Sequence, residues 1–298
     1  MKPVKVEERR ATAFDGTDLA YHVVGEGPPI LLANGLGGSW RAFKHQISYF
    51  GDRHRFISWD YRGLYRSGPP VNRGALRVED QVRDAMTILD AEGIESAVVF
   101  GWSMGVQLSL ELFRVAQGRL DAMVLMNGVA GRPYESVLGI SAMQHIVPPI
   151  LRGARTMPSL VEAVTRRMVN WPETVSWAKR LGLASKTLDD DLFRELAASF
   201  EDLDMEIYMH TLELLGEHDA WDVLEDVDIP TLIVAGDRDA MTPRRASEAM
   251  VRRIPGAELM VVPGGTHYVA IEYPELVNLR VEKFFRERGV VGQSGEPR

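Results

Sequence analysis

The chain has 298 residues, 45% of them hydrophobic and 26% charged, enough for one large folded unit or two modest ones. Its formal charge of −8 argues against nucleic acid as a partner, because phosphate binding needs an excess of Lys and Arg. It holds no cysteine, which excludes disulfides, thiolate catalysis and Cys-ligated metals.

The first residues, MKPVKVEERRATAF, are charged and lack an apolar segment of signal-peptide length. No run approaches the roughly 18 apolar residues of a membrane-spanning helix, so no membrane span and a cytoplasmic location are expected. VKVEERRATAF and TDLAYHVVGEG flank Asp15-Gly16, a dipeptide suited to a hairpin turn. The continuous apolar ILLA that follows reads as a strand buried on both faces. A helix is expected over residues 40–50, then a strand in RFISWD that runs into an acidic, Gly-containing loop. In VEDQVRDAMTILDAEGI the spacing of Val82, Ala85, Met86 and Leu89 makes one helical stripe. SAVVFG, MGVQLSLELFRVAQ and LDAMVLMNG continue as strand, helix and strand. Such alternation predicts βαβ units and a mostly parallel central sheet flanked by helices.

From about residue 131 to 220 the alternation stops. The stretches SLVEAVTRRMV and DDLFRELAASFEDLDMEIYMHTLELL are amphipathic and helical, with Pro148-Pro149 and Trp171-Pro172 as punctuation. The α/β rhythm returns with PTLIVAGD, a helix over 243–254, the strand AELMVVPG and a last helix over 268–288; the tail GVVGQSGEPR is expected to fray. The division is therefore an α/β core of residues 1–131 and 220–298, interrupted by a helical cap of residues 132–219. The cap would sit above the carboxyl ends of the strands, where open parallel sheets bind ligands.

Gly101-Trp102-Ser103-Met104-Gly105 fits G-x-S-x-G between a strand and a helix. A serine on so sharp a turn is held in strained geometry and pointed out of the sheet, and small neighbours let other backbone pass close. The helix start also offers the Met104 N–H to a developing oxyanion. As a bare string the motif is equally an ordinary Gly-rich turn; its placement after AVVF and before an apolar helix favours a nucleophile. Such a serine needs a base. Of seven histidines, only His267 follows the last acidic loop, in VVPGGTHYVAIEYPE after a strand, which puts it on the same rim. The base in turn needs a carboxylate to fix its tautomer. TLIVAGDRDAMTP supplies Asp237 and Asp239, and the residue pattern alone does not choose between them; the end of MVLMNG holds the neutral Asn127.

Together these motifs resemble the α/β-hydrolase superfamily, in its esterase- and lipase-like branch with a helical cap, over residues 12–132 and 220–285. The resemblance implies that the acid lies three residues after the glycine of G-x-x-D, at Asp239, with Asp237 in reserve. It also implies an oxyanion donor in Asn34-Gly35-Leu36-Gly37-Gly38, similar to the family's His-Gly-x motif, which makes the N–H groups of Leu36 and Met104 the hole. Asn34 departs from the usual histidine. DYRGLYRSG is similar to D-x-R-G-x-G-x-S at Asp60, Arg62, Gly63 and Ser67, while Tyr65 replaces the second glycine; this loop reads as structural support.

No metal motif and no nucleotide-binding pattern occurs, and the chemistry requires no cofactor. Trp40, Trp102 and Tyr268 flank the expected rim as substrate-binding candidates. Met143, Met157, Met168, Met205, Met209, Trp171, Trp177, Phe193 and Tyr208 suggest an apolar pocket for an acyl or aryl group, against the plainer reading that they glue cap to core. The expected function is hydrolysis of carboxylic esters with small to medium apolar acyl or aryl groups by Ser103, His267 and Asp239 through an acyl-enzyme. C–C bond hydrolysis, lactone opening and perhydrolysis use the same triad, and a slow-turnover ligand receptor is a rival of another class. A homodimer is compatible with all of these.

Overall fold

The computed structural model describes residues 5–135, 140 and 142–290. Its strands are β1 (Val6–Thr12), β2 (Asp18–Val24), β3 (Pro29–Ala33), β4 (Arg55–Trp59), β5 (Ala97–Trp102), β6 (Leu120–Met126), β7 (Thr231–Gly236) and β8 (Glu258–Val262). They form one sheet in the order β1-β2-β4-β3-β5-β6-β7-β8. The β1–β2 and β2–β4 pairs are antiparallel and every other pair is parallel. The Asp15-Gly16 hairpin forms, with a five-residue loop closed by Ala13 and Thr17 and with Gly16 at φ +88°.

The central parallel strands β3, β5, β6 and β7 are buried on both faces, which is why they read as unbroken apolar runs. Alternate residues feed two cores. Leu31, Val99, Leu125 and Ile233 point into one, with Val82, Ala85 and Leu89 of α2 (Val78–Ala91) and Leu108 and Leu112 of α3 (Met104–Ala116). Ile30, Phe100, Val124 and Val234 point into the other, with Ile47 and Phe50 of α1 (Lys44–Phe50) and Val277, Val281 and Phe284 near the carboxyl end. The expected stripe on α2 is realised, with Met86 at its partly buried edge.

The helices between β6 and β7 are α4 (Met143–Arg155), α5 (Pro158–Val169), α6 (Thr174–Arg180), α7 (Asp190–Ala198) and α8 (Met205–Leu215). No strand occurs there among the described residues. The long acidic-apolar stretch splits into α7 and α8 because Asp204 caps a new helix, its carboxylate accepting from the Ile207 N–H at 3.1 Å. Pro148-Pro149 does not punctuate. Both prolines lie inside α4, where a φ near −65° fits the helix and each costs an amide donor and crowds the carbonyl four residues before it. Trp171-Pro172 does separate α5 from α6.

Beyond β7 come α9 (Arg244–Arg253), α10 (Val269–Glu272) and α11 (Pro274–Arg288). The expected last helix is thus two, because Pro274 starts its own first turn. Pro243 sits just outside α9, at its N-cap. Gly289 ends α11 in the left-handed region, and Val290 N–H returns to Phe285 O at 3.0 Å. The rest of the tail expected to fray, from residue 291, lies outside the described residues. No described helix is long and apolar enough to cross a membrane.

Candidate active site

The chain winds from β3 to β4 on one side and then returns to place β5 on the other, so β3 and β5 flank the switch point. The loops leaving β3, β5, β7 and β8 at their carboxyl ends all open onto one rim. Ser103 is the single residue between β5 and α3, at φ +56°, ψ −116°, a backbone state few side chains adopt. Its N–H donates to Met126 O at 3.0 Å. Close packing enforces the flanking glycines. A Cβ on Gly105 would lie 1.9 Å from Ala33 O, and one on Gly101 2.5 Å from Gly105 O.

His267 Nε2 lies 3.0 Å from Ser103 Oγ, and His267 Nδ1 lies 2.9 Å from Asp239 Oδ2. Of the two candidate acids, the structure brings Asp239 to the histidine. Asp237 is exposed and accepts from the Gly264 N–H at 2.7 Å. Asp239 is only 4% exposed. Its Oδ1 accepts from the N–H groups of Met241 and Thr242, and its Oδ2 from Thr242 Oγ1 at 2.6 Å and Asn127 Nδ2 at 2.9 Å. Burial works to raise its pKa, but the facing His267 and the Thr242 donors outweigh it and hold the carboxyl below its ordinary value.

Four residues support this arrangement that the sequence does not mark as part of it. Asn127 stands at φ +47° where β6 ends, and its amide bridges Asp239 and Thr266 O. Thr242 donates to Asp239. Buried Glu272 accepts from Thr266 N–H and Oγ1 and from Ser185 N–H, joining the histidine loop to the cap. Tyr61 donates to Asn34 O at 2.5 Å. Asn127 leaves no spacing signal because its partner Asp239 is 112 residues away, and a Thr three residues after an Asp, as Thr242 is, is too common a pairing to mark a site.

Leu36 sits at the corner of a turn closed by Gly38 N–H to Gly35 O at 2.8 Å, with Gly37 at φ +75°. Gly35 packs against Trp102 and Ser103 so tightly that a Cβ would sit 3.0 Å from the indole and 3.2 Å from Ser103 Cβ. Asn34, at the position of the expected motif's histidine, is buried and donates to Ser58 Oγ at 2.9 Å. Met104 opens α3, and a first-turn amide has no acceptor in its own helix. Tyr65 reaches the same turn: its hydroxyl donates to Gly37 O. From sequence this residue reads only as structural support.

A cavity of about 330 Å³ opens above Ser103 and His267. Trp102 and Tyr268 line it. Trp102 Nε1 also donates to His267 O at 2.9 Å, and Tyr268 meets Phe193 edge-on at 5.2 Å. Trp40 does not line it. The short helical turn Trp40–Phe43 carries that indole outward, against His22 and under the Arg41 guanidinium. The cap contributes Phe193, Phe200, Tyr208 and, at an exposed edge, Met168, whereas Met205 is in the core and the exposed Met157, Trp171 and Trp177 do not line the cavity. Among the described residues, no Asp, Glu, Lys or Arg lines the cavity.

A family model described as alpha/beta hydrolase fold matches residues 28–274. A putative carbamate hydrolase RutD from Azorhizobium caulinodans is 27% identical over 262 residues, covering 88% of this chain and 92% of that protein. Among solved structures, a thermophilic esterase from Thermogutta terrifontis superposes with a TM-score of 0.75 at 22% identity, covering 94% of this chain and 98% of the other. An enol-lactonase from Burkholderia xenovorans gives 0.74 at 22% identity, covering 93% and 100%.

Proposed function

The chain belongs to the alpha/beta hydrolase fold family, and from that premise we propose that it is a serine hydrolase of small, uncharged carboxylic esters. The observation that carries this is the line of contacts Ser103 Oγ, His267, Asp239, with 3.0 Å and 2.9 Å between successive partners, on a strained strand-to-helix turn. Residues 1–131 and 220–298 act as the core and residues 132–219 as the cap that closes over the substrate.

Ser103 Oγ attacks the ester carbonyl carbon while His267 Nε2 takes the hydroxyl proton. Asp239, ionised at neutral pH, holds Nδ1–H in place and balances the imidazolium. The Leu36 and Met104 N–H groups receive the charge that grows on the carbonyl oxygen. His267 then hands its proton to the leaving alkoxide, the alcohol departs and Ser103 carries the acyl group. Water attacks that acyl carbon with His267 again as base, which releases the acid and restores Ser103. The apolar walls favour an acyl or aryl group that carries no charge.

The RutD-like relatives support a second reading, in which a carbamate carbonyl meets the same groups. A fluorophosphonate probe with peptide mapping tests the mechanism that both share. The expected result is stoichiometric modification of Ser103, lost in Ser103→Ala. Folded wild type that stays unlabelled would sink it. Initial rates on matched p-nitrophenyl butyrate and a p-nitrophenyl carbamate then separate ester from carbamate.

A further inference from the structure

The loop that follows β4 grips the Leu36 turn at two points. Tyr61 donates to Asn34 O, two residues before Leu36, and Tyr65 donates to Gly37 O, one residue after it. We propose that Tyr65 is a positioning residue that sets the Leu36 oxyanion donor and couples it to the seating of the cap; this rests on the reading of Ser103 as nucleophile.

Tyr65 occupies the position where the D-x-R-G-x-G-x-S pattern has a glycine, and its backbone lies at φ +52°. A residue with a Cβ is disfavoured there, so the side chain must offset that strain by what it touches. Its ring packs against the core and its hydroxyl reaches across to the turn. Burial pushes the phenol up to about 12, so it stays a proton donor at neutral pH. Its one proton goes to Gly37 O. The 3.2 Å contact with Ser199 Oγ therefore needs the serine as donor, in competition with Leu196 O at 2.7 Å. Ser199 belongs to the cap, between α7 and α8.

Gly37 is also where the cap presses on the turn. A Cβ there would meet Phe200 Cζ at 2.7 Å and Tyr208 Cε2 at 3.0 Å. The turn thus lies between cap aromatics on one side and Trp102 with Ser103 on the other, and the two tyrosine hydroxyls fix its carbonyls. Removing the Tyr65 grip frees the peptides after Leu36 to rotate while Asn34 stays held. The donor then drifts from the place where a tetrahedral oxyanion forms, while the Trp102, Phe193 and Tyr268 walls of the cavity keep their contacts.

Tyr65→Phe keeps the ring and removes the hydroxyl. On p-nitrophenyl butyrate its kcat should fall about tenfold, less than the loss from deleting an oxyanion donor outright, with KM changed by less than roughly twofold. Ser199→Ala should lower kcat in the same direction by less. Hydrogen exchange by mass spectrometry on a peptide spanning residues 34–38 should be faster in Tyr65→Phe and unchanged in Ser103→Ala. Wild-type kcat with unchanged exchange in Tyr65→Phe overturns the proposal, as does a raised KM at full kcat. Failure of the hydrolase reading looks different: the wild type itself neither turns over nor labels at Ser103. Exchange in Tyr65→Phe still reads the grip in that case, and unchanged exchange would reject it.

Discussion

Asp239 and Asp237 leave the same strand two positions apart and meet opposite environments. The first is buried with donors from Met241, Thr242 and Asn127, and the second is exposed on the Gly264 amide. Asp239→Asn should cost about 10⁴ in kcat, since an amide there can hold the imidazole in the wrong tautomer and cannot balance its charge. Asp237→Asn should cost less than about threefold. Initial rates on one p-nitrophenyl ester decide this, and a larger loss in Asp237→Asn would move the acid. The residue pattern could not choose because strand alternation places neither side chain once the chain has left β7. Serine and histidine were easier to single out: one lies inside a motif and the other is the only histidine beyond the acidic loop. Asn127 and Tyr65 were not legible, because each acts on a partner that sequence spacing does not connect to it.

At the scale of elements, the strands and most core helices were legible, since burial on both faces or along one stripe writes itself as period and composition. Boundaries were less so. The 268–288 helix broke at Pro274, the Asp204 cap split α7 from α8, and α4 absorbed two prolines. The turn between β5 and α3 leaves no room for change. Gly105→Ala would drive a methyl into the Ala33 carbonyl, backbone that cannot step aside, and should cost 3 kcal/mol or more in urea unfolding, at about the upper end of overpacking penalties. The loop after β4 carries a pH dependence of its own. Burial pushes Asp60 up to about 6, against an accepted bond from Arg66 N–H. A carboxyl whose folded pKa is raised binds its proton more tightly in the folded chain. Its contribution to stability is therefore full below the ordinary value of 3.8 and is lost as pH rises through 6. Asp60→Asn should then be more stable than wild type by about 2–3 kcal/mol at pH 7.5 and nearly equal to it at pH 4. A stability difference that is constant across that range would rule this out.

At the scale of the molecule, the cavity belongs to neither half alone. The core supplies Ser103, His267 and the Leu36 turn, and the cap supplies Met168, Phe193, Phe200 and Tyr208. Sequence composition pointed to an apolar pocket but could not say which cap residues face it, because that depends on how α5, α7 and α8 dock on the rim. The assembled lining bears on selectivity. With no Lys or Arg among its described residues, an acyl chain that ends in a carboxylate would leave water without a cationic partner. In the proposed mechanism the reacting carbonyl gains from Leu36 and Met104 with either ester, so the difference falls on binding the chain. A p-nitrophenyl hemisuccinate and p-nitrophenyl butyrate are close in length and differ in that one charge. The neutral ester should have the higher kcat/KM by about 100-fold or more, the factor that corresponds to about 3 kcal/mol of uncompensated desolvation. Most of that ratio should appear in KM. Equal kcat/KM for the two would mean that the carboxylate never enters the cavity, and that the acyl chain projects to solvent past the cap. Where the neutral ester is preferred, replacing Phe193, which packs edge-on against Tyr268, by Arg should narrow the ratio if the acyl chain runs along α7 and leave it unchanged if it does not.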